Sequence, residues 1–378
     1  MRVLLTGGGT GGHVNPALAI AEIIKSREPD SEIAFIGTER GIENNLIPKE
    51  GYTLYHNNVY GIRRSLSPKN IITAYYILTS PSKAKKIIRK FEPDVVIGTG
   101  GYVCWPNLKA AAKMGIPTAL HESNATPGLA VRKLQNTVDI IMTNFESTLN
   151  ALNTDRKAIR VGNPLRLAYS SADKAQARKQ LGIPDDIKFL VLSFGGSLGA
   201  EKLNESAIDI MRGFSAKHDD VMHVHSGGKR FYENARQLFA AYGLEQNPRL
   251  DLREYIHDMA TYMAAADLVI CRAGAMTLTE LSVTKKASIL IPSPNVTGNH
   301  QYKNAAEFEK AGAAILIEEK DLTQQRIVDA VEKIYSDPKL RANMGEAAST
   351  LSSSDAADRI YEEISALVKN NKKIKGKG

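Results

Sequence analysis

Cysteine is nearly absent: Cys104 and Cys271 are the only two in 378 residues, too far apart for any metal-type spacing. That excludes a disulfide scaffold and reads as two free or buried thiols in a reducing compartment, hence the cytoplasm. No apolar run approaches the roughly 20 residues that span a bilayer. The N-terminus reads directly as a strand, so no signal peptide is expected. A Walker lysine, a Ser-His-Asp spacing, a zinc motif and a D-x-D for a metal-held diphosphate are all missing. So is a basic stripe interleaved with aromatics, which removes nucleic acid as an expected partner. The net charge is +8, yet five lysines of the terminal tail, Lys369, Lys372, Lys373, Lys375 and Lys377, carry most of it. That tail, residues 369–378, has almost nothing apolar and is expected to be disordered. The remainder has the composition of a soluble globular protein long enough for two domains.

Against these absences stands one rich stretch, V-L-L-T-G-G-G-T-G-G-H-V-N-P-A-L-A-I at Val3–Ile20. Val3–Leu5 reads as a buried strand, four of the six residues Thr6–Gly11 are glycine, and helical periodicity begins at Pro16. Strand, glycine turn and helix N-terminus together form an anion site, because backbone N–H groups can approach a ligand closely there. A diphosphate is the natural guest. Gly7, Gly9 and Gly12 also satisfy G-x-G-x-x-G, with Glu39 ending the next apolar run, so a nicotinamide dinucleotide remains a rival ligand.

Short apolar runs then alternate with helical patterns: Arg2–Thr6, Glu32–Ile36, Leu54–Val59, Val95–Gly98, Thr118–His121, Ile140–Thr143 and Ile159–Val161 read as strands. At Lys188–Phe194 the plan restarts, with a strand, the turn G-G-S-L-G-A (Gly195–Ala200) and a helical pattern from Leu203. Further strands are expected at Met222–His225, Leu250–Glu254, Leu268–Cys271, Ala287–Ile291 and Ala314–Ile317. Two doubly wound α/β domains in tandem are the economical reading. The joint is expected in Val161–Arg166, where Gly162 and Pro164 interrupt regular structure, giving domains 1–163 and 164–354. A last helix over 355–368 either caps the second domain or crosses back to the first.

Three further stretches follow strands directly. G-T-G-G-Y-V-C-W-P (Gly98–Pro106) is a second glycine turn, and H-E-S-N-A-T-P-G (His121–Gly128) is a polar loop. In C-R-A-G-A-M-T-L-T-E-L-S (Cys271–Ser282), Thr277 and Glu280 could bind a ribose and phosphates, or could form a capping box.

Seven motifs, G-G-T-G-G-H-V-N-P-A (Gly8–Ala17), G-T-G-G-Y-V, H-E-S-N, G-N-P-L-R (Gly162–Arg166), F-G-G-S-L-G-A, R-A-G-A-M-T-L-T-E and N-H-Q-Y-K-N-A (Asn299–Ala305), occur in an order that resembles the MurG family. That family transfers N-acetylglucosamine in bacterial peptidoglycan synthesis, and the resemblance covers all but the basic tail. It implies a GT-B fold, two Rossmann-like domains with a cleft between them, and a C-terminal helix returning to the first domain. It implies UDP-GlcNAc as donor and, as acceptor, the C4 hydroxyl of MurNAc in undecaprenyl-diphosphate-MurNAc-pentapeptide, with inversion and with no metal or cofactor. Carried over by motif, the donor contacts are Thr10, Gly11, Gly12, Asn124, Arg166, Ser197, Ile256, Ala275, Met276, Thr277, Leu278, Thr279, Glu280 and Gln301. Glu280 would hold the ribose hydroxyls and Ile256 would lie by the uracil. A different UDP-sugar transferase, an epimerase or a non-catalytic UDP-GlcNAc sensor would use similar parts.

Inversion needs one displacement and a base for the acceptor proton. His13, at the edge of the first glycine turn, is the candidate general base; the alternative is that it only positions a substrate. A lipid-linked acceptor also implies a peripheral protein on the cytoplasmic face of the cell membrane. The apolar segment Pro68–Thr79 is followed by Lys83, Lys85, Lys86, Arg89 and Lys90, which suits an anionic bilayer or, equally, a helix packed on its own sheet. Trp105 is a further candidate for lipid contact. Ser80-Pro81 is expected to interrupt that helix.

Overall fold

Alternate residues of each central strand face opposite layers of core, and this pattern builds the chain into two parallel-sheet units. The computed structural model describes residues 1–59, 69–170, 173–353 and 355–375. The chain divides into unit 1, Met1–Arg166 with Ser353–Gly378, and unit 2, Leu167–Ser352.

Unit 1 contains β1 (Arg2–Thr6), β2 (Glu32–Gly37), β3 (Thr53–His56), β4 (Val95–Gly98), β5 (Thr118–Glu122), β6 (Ile140–Thr143) and β7 (Lys157–Arg160). Their order is β3-β2-β1-β4-β5-β6-β7, all parallel, with Leu5 opposite Phe35 and Ile97. Val3, Leu5, Phe35 and Ile97 face a layer closed by the helices Gly11–Arg27 and Ala356–Lys375. Leu4, Ile36, Val96 and Leu120 face the other, closed by Lys69–Phe91 and Cys104–Lys113. Burial on both faces explains why these strands are continuous apolar runs. Unit 2 contains β8 (Phe189–Phe194), β9 (Val221–Ser226), β10 (Leu250–Arg253), β11 (Leu268–Cys271), β12 (Ala287–Leu290) and β13 (Ala314–Leu316), in the order β10-β9-β8-β11-β12-β13. In both sheets the chain reverses its direction of travel beside the first strand. Ligands of open α/β sheets bind outside the strand ends at that point.

Four expectations change. The first helix starts at Gly11 rather than Pro16, with Thr10 as an extended N-cap (φ −142°, ψ 157°). Glycines are tolerable there because first-turn N–H groups need no partner inside the helix. The edge strands β3 and β7 end at His56 and Arg160, short of Val59 and Val161. Helix Lys69–Phe91 runs on through Pro81. At that point the Asn57 amide donates to the Ser80 carbonyl (3.1 Å) and so supports the backbone beside the missing N–H. Finally, the last helix extends to Lys375, so 369–375 is helical instead of a disordered tail. Lys369 and Lys372 suit the negative end of the helix, and Lys372 Nζ lies 3.0 Å from Asp94. This helix lies on Gly11–Arg27: Ile360, Ile364 and Val368 join the unit 1 core and Tyr361 donates to Glu28 at 2.9 Å. Lys377 and Pro68 lie outside the described residues, as do the side chains of residues 69–75 and 77.

Candidate functional site

In unit 1 two glycine turns, after β1 and β4, close around one imidazole. His13 Nδ1 lies 3.2 Å from the Thr99 carbonyl, and the Thr99 hydroxyl donates to the His13 carbonyl at 2.7 Å. A carbonyl can only accept, so Nδ1 carries the proton and the ring's lone pair sits on Nε2, the tautomer a general base needs. Gly100 has φ +105°, and a Cβ there would fall 2.5 Å from His13 Nδ1. Only glycine lets the second turn approach the ring so closely. The first turn is held from its other side by Glu43, a fully buried carboxylate that accepts from the Gly9 N–H (3.0 Å), the Thr38 N–H (2.9 Å) and the Thr38 hydroxyl (2.8 Å). Beside Gly9 a cavity of about 90 Å³ is lined by Thr38, Arg40, Asn58 and Tyr102 among others. Below the turns, Asn107 donates to the Thr6 hydroxyl (2.9 Å) and buried Cys104 to the Thr6 carbonyl (2.9 Å). Cys104 is therefore structural, and burial pushes its thiol up to about 12.

The polar loop after β5 hangs on Glu122. Its carboxylate accepts from the Asn124 N–H and side-chain amide (both 3.0 Å) and from the Gly128 N–H (2.7 Å). Asn124 is thus fixed with its amide oriented. Arg166 is committed within unit 1: it forms a fork with Glu50 (3.0 and 3.1 Å) and approaches Glu22 at 3.5 Å. Two of the five guanidinium N–H groups of Arg166 are left over by these three contacts.

In unit 2 the loop Gly195–Ala200 stands after β8, with Ser197 exposed at its crest. It rests on the turn after β9. The Lys229 N–H donates to the Ser197 carbonyl (3.3 Å) and the Arg230 N–H to the Leu198 carbonyl (3.1 Å). Gly199 has φ +81°, and a Cβ there would lie 2.0 Å from the Gly227 carbonyl oxygen. After β11, helix Ala275–Val283 opens at Gly274, whose N-cap position supplies no side-chain bond. Glu280 is the sixth residue of this helix, so Thr277 and Glu280 form no capping box. Ala275, Met276, Leu278 and Thr279 are buried, while Thr277 and Glu280 are the half-buried polar pair of the first two turns. Burial raises the Glu280 carboxyl to about 8, against the opposing hydrogen bond from Tyr169.

Several carried-over residues are placed less simply. Leu278 is 1% exposed and its N–H donates to the Gly274 carbonyl (3.0 Å), so it supports the helix from the core side. Ile256 is 3% exposed and packs within the same core. Gln301 accepts from the Ser293 N–H at 2.8 Å through its carbonyl oxygen, leaving its amino group as the donor end. Sequence reading missed Glu43, whose charge gives no hint of complete burial. It also missed Gly227–Gly228, although a glycine pair at a strand's carboxyl end is the signal used elsewhere. Among the described residues no group of three or more His, Cys, Asp or Glu could hold a metal ion. No described helix is long and apolar enough to cross a membrane.

The chain is similar to known proteins in family and fold. Residues 3–143 match the glycosyltransferase family 28 N-terminal domain and residues 190–360 the family 28 C-terminal domain. A relative from Acetivibrio thermocellus, UDP-N-acetylglucosamine–N-acetylmuramyl-(pentapeptide) pyrophosphoryl-undecaprenol N-acetylglucosamine transferase, is 40% identical over 98% of this chain and 99% of its own. The crystal structure of Acinetobacter baumannii MurG superposes with a TM-score of 0.75 at 26% identity, covering 97% of this chain and 99% of that one. A UDP-GlcNAc 2-epimerase from Neisseria meningitidis shares the fold alone, at 15% identity and a TM-score of 0.65 over 96% and 99% of the two chains. The fold is GT-B.

Proposed function

Because the chain belongs to the family of UDP-N-acetylglucosamine–N-acetylmuramyl-(pentapeptide) pyrophosphoryl-undecaprenol N-acetylglucosamine transferases, we propose that it performs that transfer, converting lipid I to lipid II. The observation that carries this reading is 40% identity spread over 98% of the chain, far beyond a shared fold. The acceptor is the C4 hydroxyl of MurNAc on undecaprenyl diphosphate and the donor is UDP-GlcNAc.

The chemistry is a single displacement with inversion. The acceptor oxygen forms a bond to the anomeric carbon of GlcNAc, the bond from that carbon to the β-phosphate oxygen breaks, and UDP departs with the electron pair. His13 Nε2 takes the acceptor proton, supported by the tautomer that Thr99 imposes. The negative charge growing on UDP is met by backbone N–H groups. Those of the Gly195–Ala200 loop and of the helix opened by Gly274 serve in unit 2, and Thr10, Gly11 and Gly12 serve in unit 1. Glu280 accepts the ribose hydroxyls, Thr277 meets a phosphate oxygen, Ser197 and the Gln301 amino group bind the donor's outer face, and the Ile256 backbone meets the uracil. Asn124 and Arg166 are the remaining donor contacts that the family motifs imply.

The lipid acceptor places the protein peripherally on the cytoplasmic leaflet. Support comes from Leu78, 79% exposed, and from exposed Lys83, Lys86, Arg89 and Lys90 on the same helix. Trp105, under the Lys109 ammonium at 4.7 Å, is a second contact. The decisive test is UDP release with a lipid I analogue: release that requires both substrates and yields a β-linked disaccharide is expected. Turnover of UDP-GlcNAc without acceptor, as in an epimerase, would refute the assignment.

A further inference from the structure

Beneath the glycine loop of unit 2 runs a chain of buried polar side chains that the transfer reaction itself does not use. Ser193, Ser215, His223 and His225 are wholly buried and Asn204 is 3% exposed. Their contacts run in one line. Ser215 Oγ lies 3.2 Å from His223 Nδ1, and His223 Nε2 lies 2.8 Å from Ser193 Oγ. Ser193 Oγ is 2.7 Å from His225 Nδ1, and His225 Nε2 is 3.1 Å from Asn204 Oδ1. Asn204 Nδ2 then donates to the Gly227 carbonyl at 2.8 Å and, more weakly, to the Phe231 carbonyl at 3.4 Å.

One assignment of protons serves every side chain of the line, and it leaves the Ser193 carbonyl, 3.1 Å from His225 Nδ1, without a bond to that nitrogen. Two carbonyls fix the Asn204 amino group as donor, so Asn204 Oδ1 must accept and His225 Nε2 must carry a hydrogen. The lone pair on His225 Nδ1 then accepts from the Ser193 hydroxyl. Ser193 Oγ in turn accepts from His223 Nε2–H, which leaves His223 Nδ1 to accept from Ser215. Each group donates once toward Gly227, and both imidazoles stay neutral, as their burial without a carboxylate among these partners also requires. A buried polar network of this kind fixes geometry more than it adds stability.

What it fixes is the seat of the glycine loop. Gly227 meets the chain's last donor, and the Gly227 carbonyl oxygen stands 2.0 Å from where a Gly199 Cβ would lie. Movement of Gly227 by a few tenths of an ångström therefore moves Gly199 and, with it, Ser197. We propose that His225 and Asn204 are positioning residues for the donor: through Gly227 they set the height of the Gly195–Ala200 loop against the diphosphate. This rests on the reading that unit 2 binds UDP-GlcNAc.

The test compares His225→Leu with His225→Gln in the full-length protein. Glutamine can accept from Ser193 at its oxygen and donate to Asn204 at its nitrogen, whereas leucine can do neither. His225→Leu is expected to raise the UDP-GlcNAc KM about tenfold with kcat and the acceptor KM within twofold of wild type. His225→Gln is expected to restore the donor KM to within about threefold. Ser193→Ala, which deletes one hydroxyl from the middle of the chain, provides the same reading should His225→Leu fail to fold; a donor KM raised about threefold is expected. A donor KM unchanged in whichever of these variants folds would overturn the positioning role. So would losses that fall equally on kcat and both KM values, or a glutamine variant no better than leucine. Failure of the wild-type protein to bind UDP-GlcNAc by calorimetry would instead overturn the donor-site reading on which the role depends.

Discussion

The two units begin alike and diverge at the same step. Each starts with a strand buried on both faces, β1 or β8, then a glycine loop and a helix N-terminus. In unit 1 the loop is met by the turn after β4, on the side of β1 where the chain reverses. In unit 2 it is met by the turn after β9, on the opposite side of β8. Closing the reversal side in unit 1 encloses an imidazole with its tautomer imposed. In unit 2 that side carries the helix that starts after β11, headed by Gly274 and bearing Thr277 and Glu280. One architecture thus yields a turn pair packed around an imidazole and a glycine loop packed on backbone.

The sharpest way to break this comparison is to remove the side chain. His13→Ala should lower kcat by about 10²–10⁴ while both KM values stay close to wild type, measured by steady-state UDP release. Next come the two glycines that permit the close approaches. Gly100→Ala places a methyl group against His13 at a strained φ and should cost roughly 1–3 kcal/mol of stability. It should also lower kcat at least tenfold. Gly199→Ala should cost a similar amount but raise the donor KM and spare kcat. Denaturant melts beside kinetics would separate the two outcomes.

A smaller effect follows from Glu280. Its carboxyl lies at about 8 in the folded protein against 4.5 for an exposed glutamate. Below pH 4.5 both folded and unfolded states hold the proton. Between 4.5 and 8 the unfolded state loses it first, so stability falls as pH rises, and the loss is complete above 8. Glu280→Gln should flatten this slope in unfolding measurements at pH 5 and 8.5. Because an ionised carboxylate accepts the proposed ribose hydrogen bonds more strongly than a carboxylic acid, UDP-GlcNAc binding should tighten over the same interval in wild type and lose that dependence in the variant. Smallest is the surface effect in unit 1: binding to anionic vesicles should weaken steadily with added salt. Absence of binding even at low salt would remove the docking surface.

Strands were readable because burial on both faces writes them as apolar runs, as in V-L-L of β1. The glycine turns were readable because only glycine tolerates such approaches. Their pairing was not, since Gly100 meets His13 and Gly227 meets Gly199 across distances in sequence that no local pattern reports. Glu43 was invisible for another reason: a wholly buried carboxylate is recognisable only once its three donors are in place. Pro81 misled because a helix tolerates proline when tertiary groups support the backbone around it, here Asn57. Motif carry-over located the helix Ala275–Val283 but could not distinguish Thr277, which looks outward, from Leu278, which packs inward.

The division of labour is tested most directly by equilibrium binding of UDP-GlcNAc to His13→Ala, measured by calorimetry beside the variant's turnover. A dissociation constant within twofold of wild type is expected in a protein whose turnover has fallen at least a hundredfold. Binding lost in proportion to turnover, or turnover retained, would contradict it.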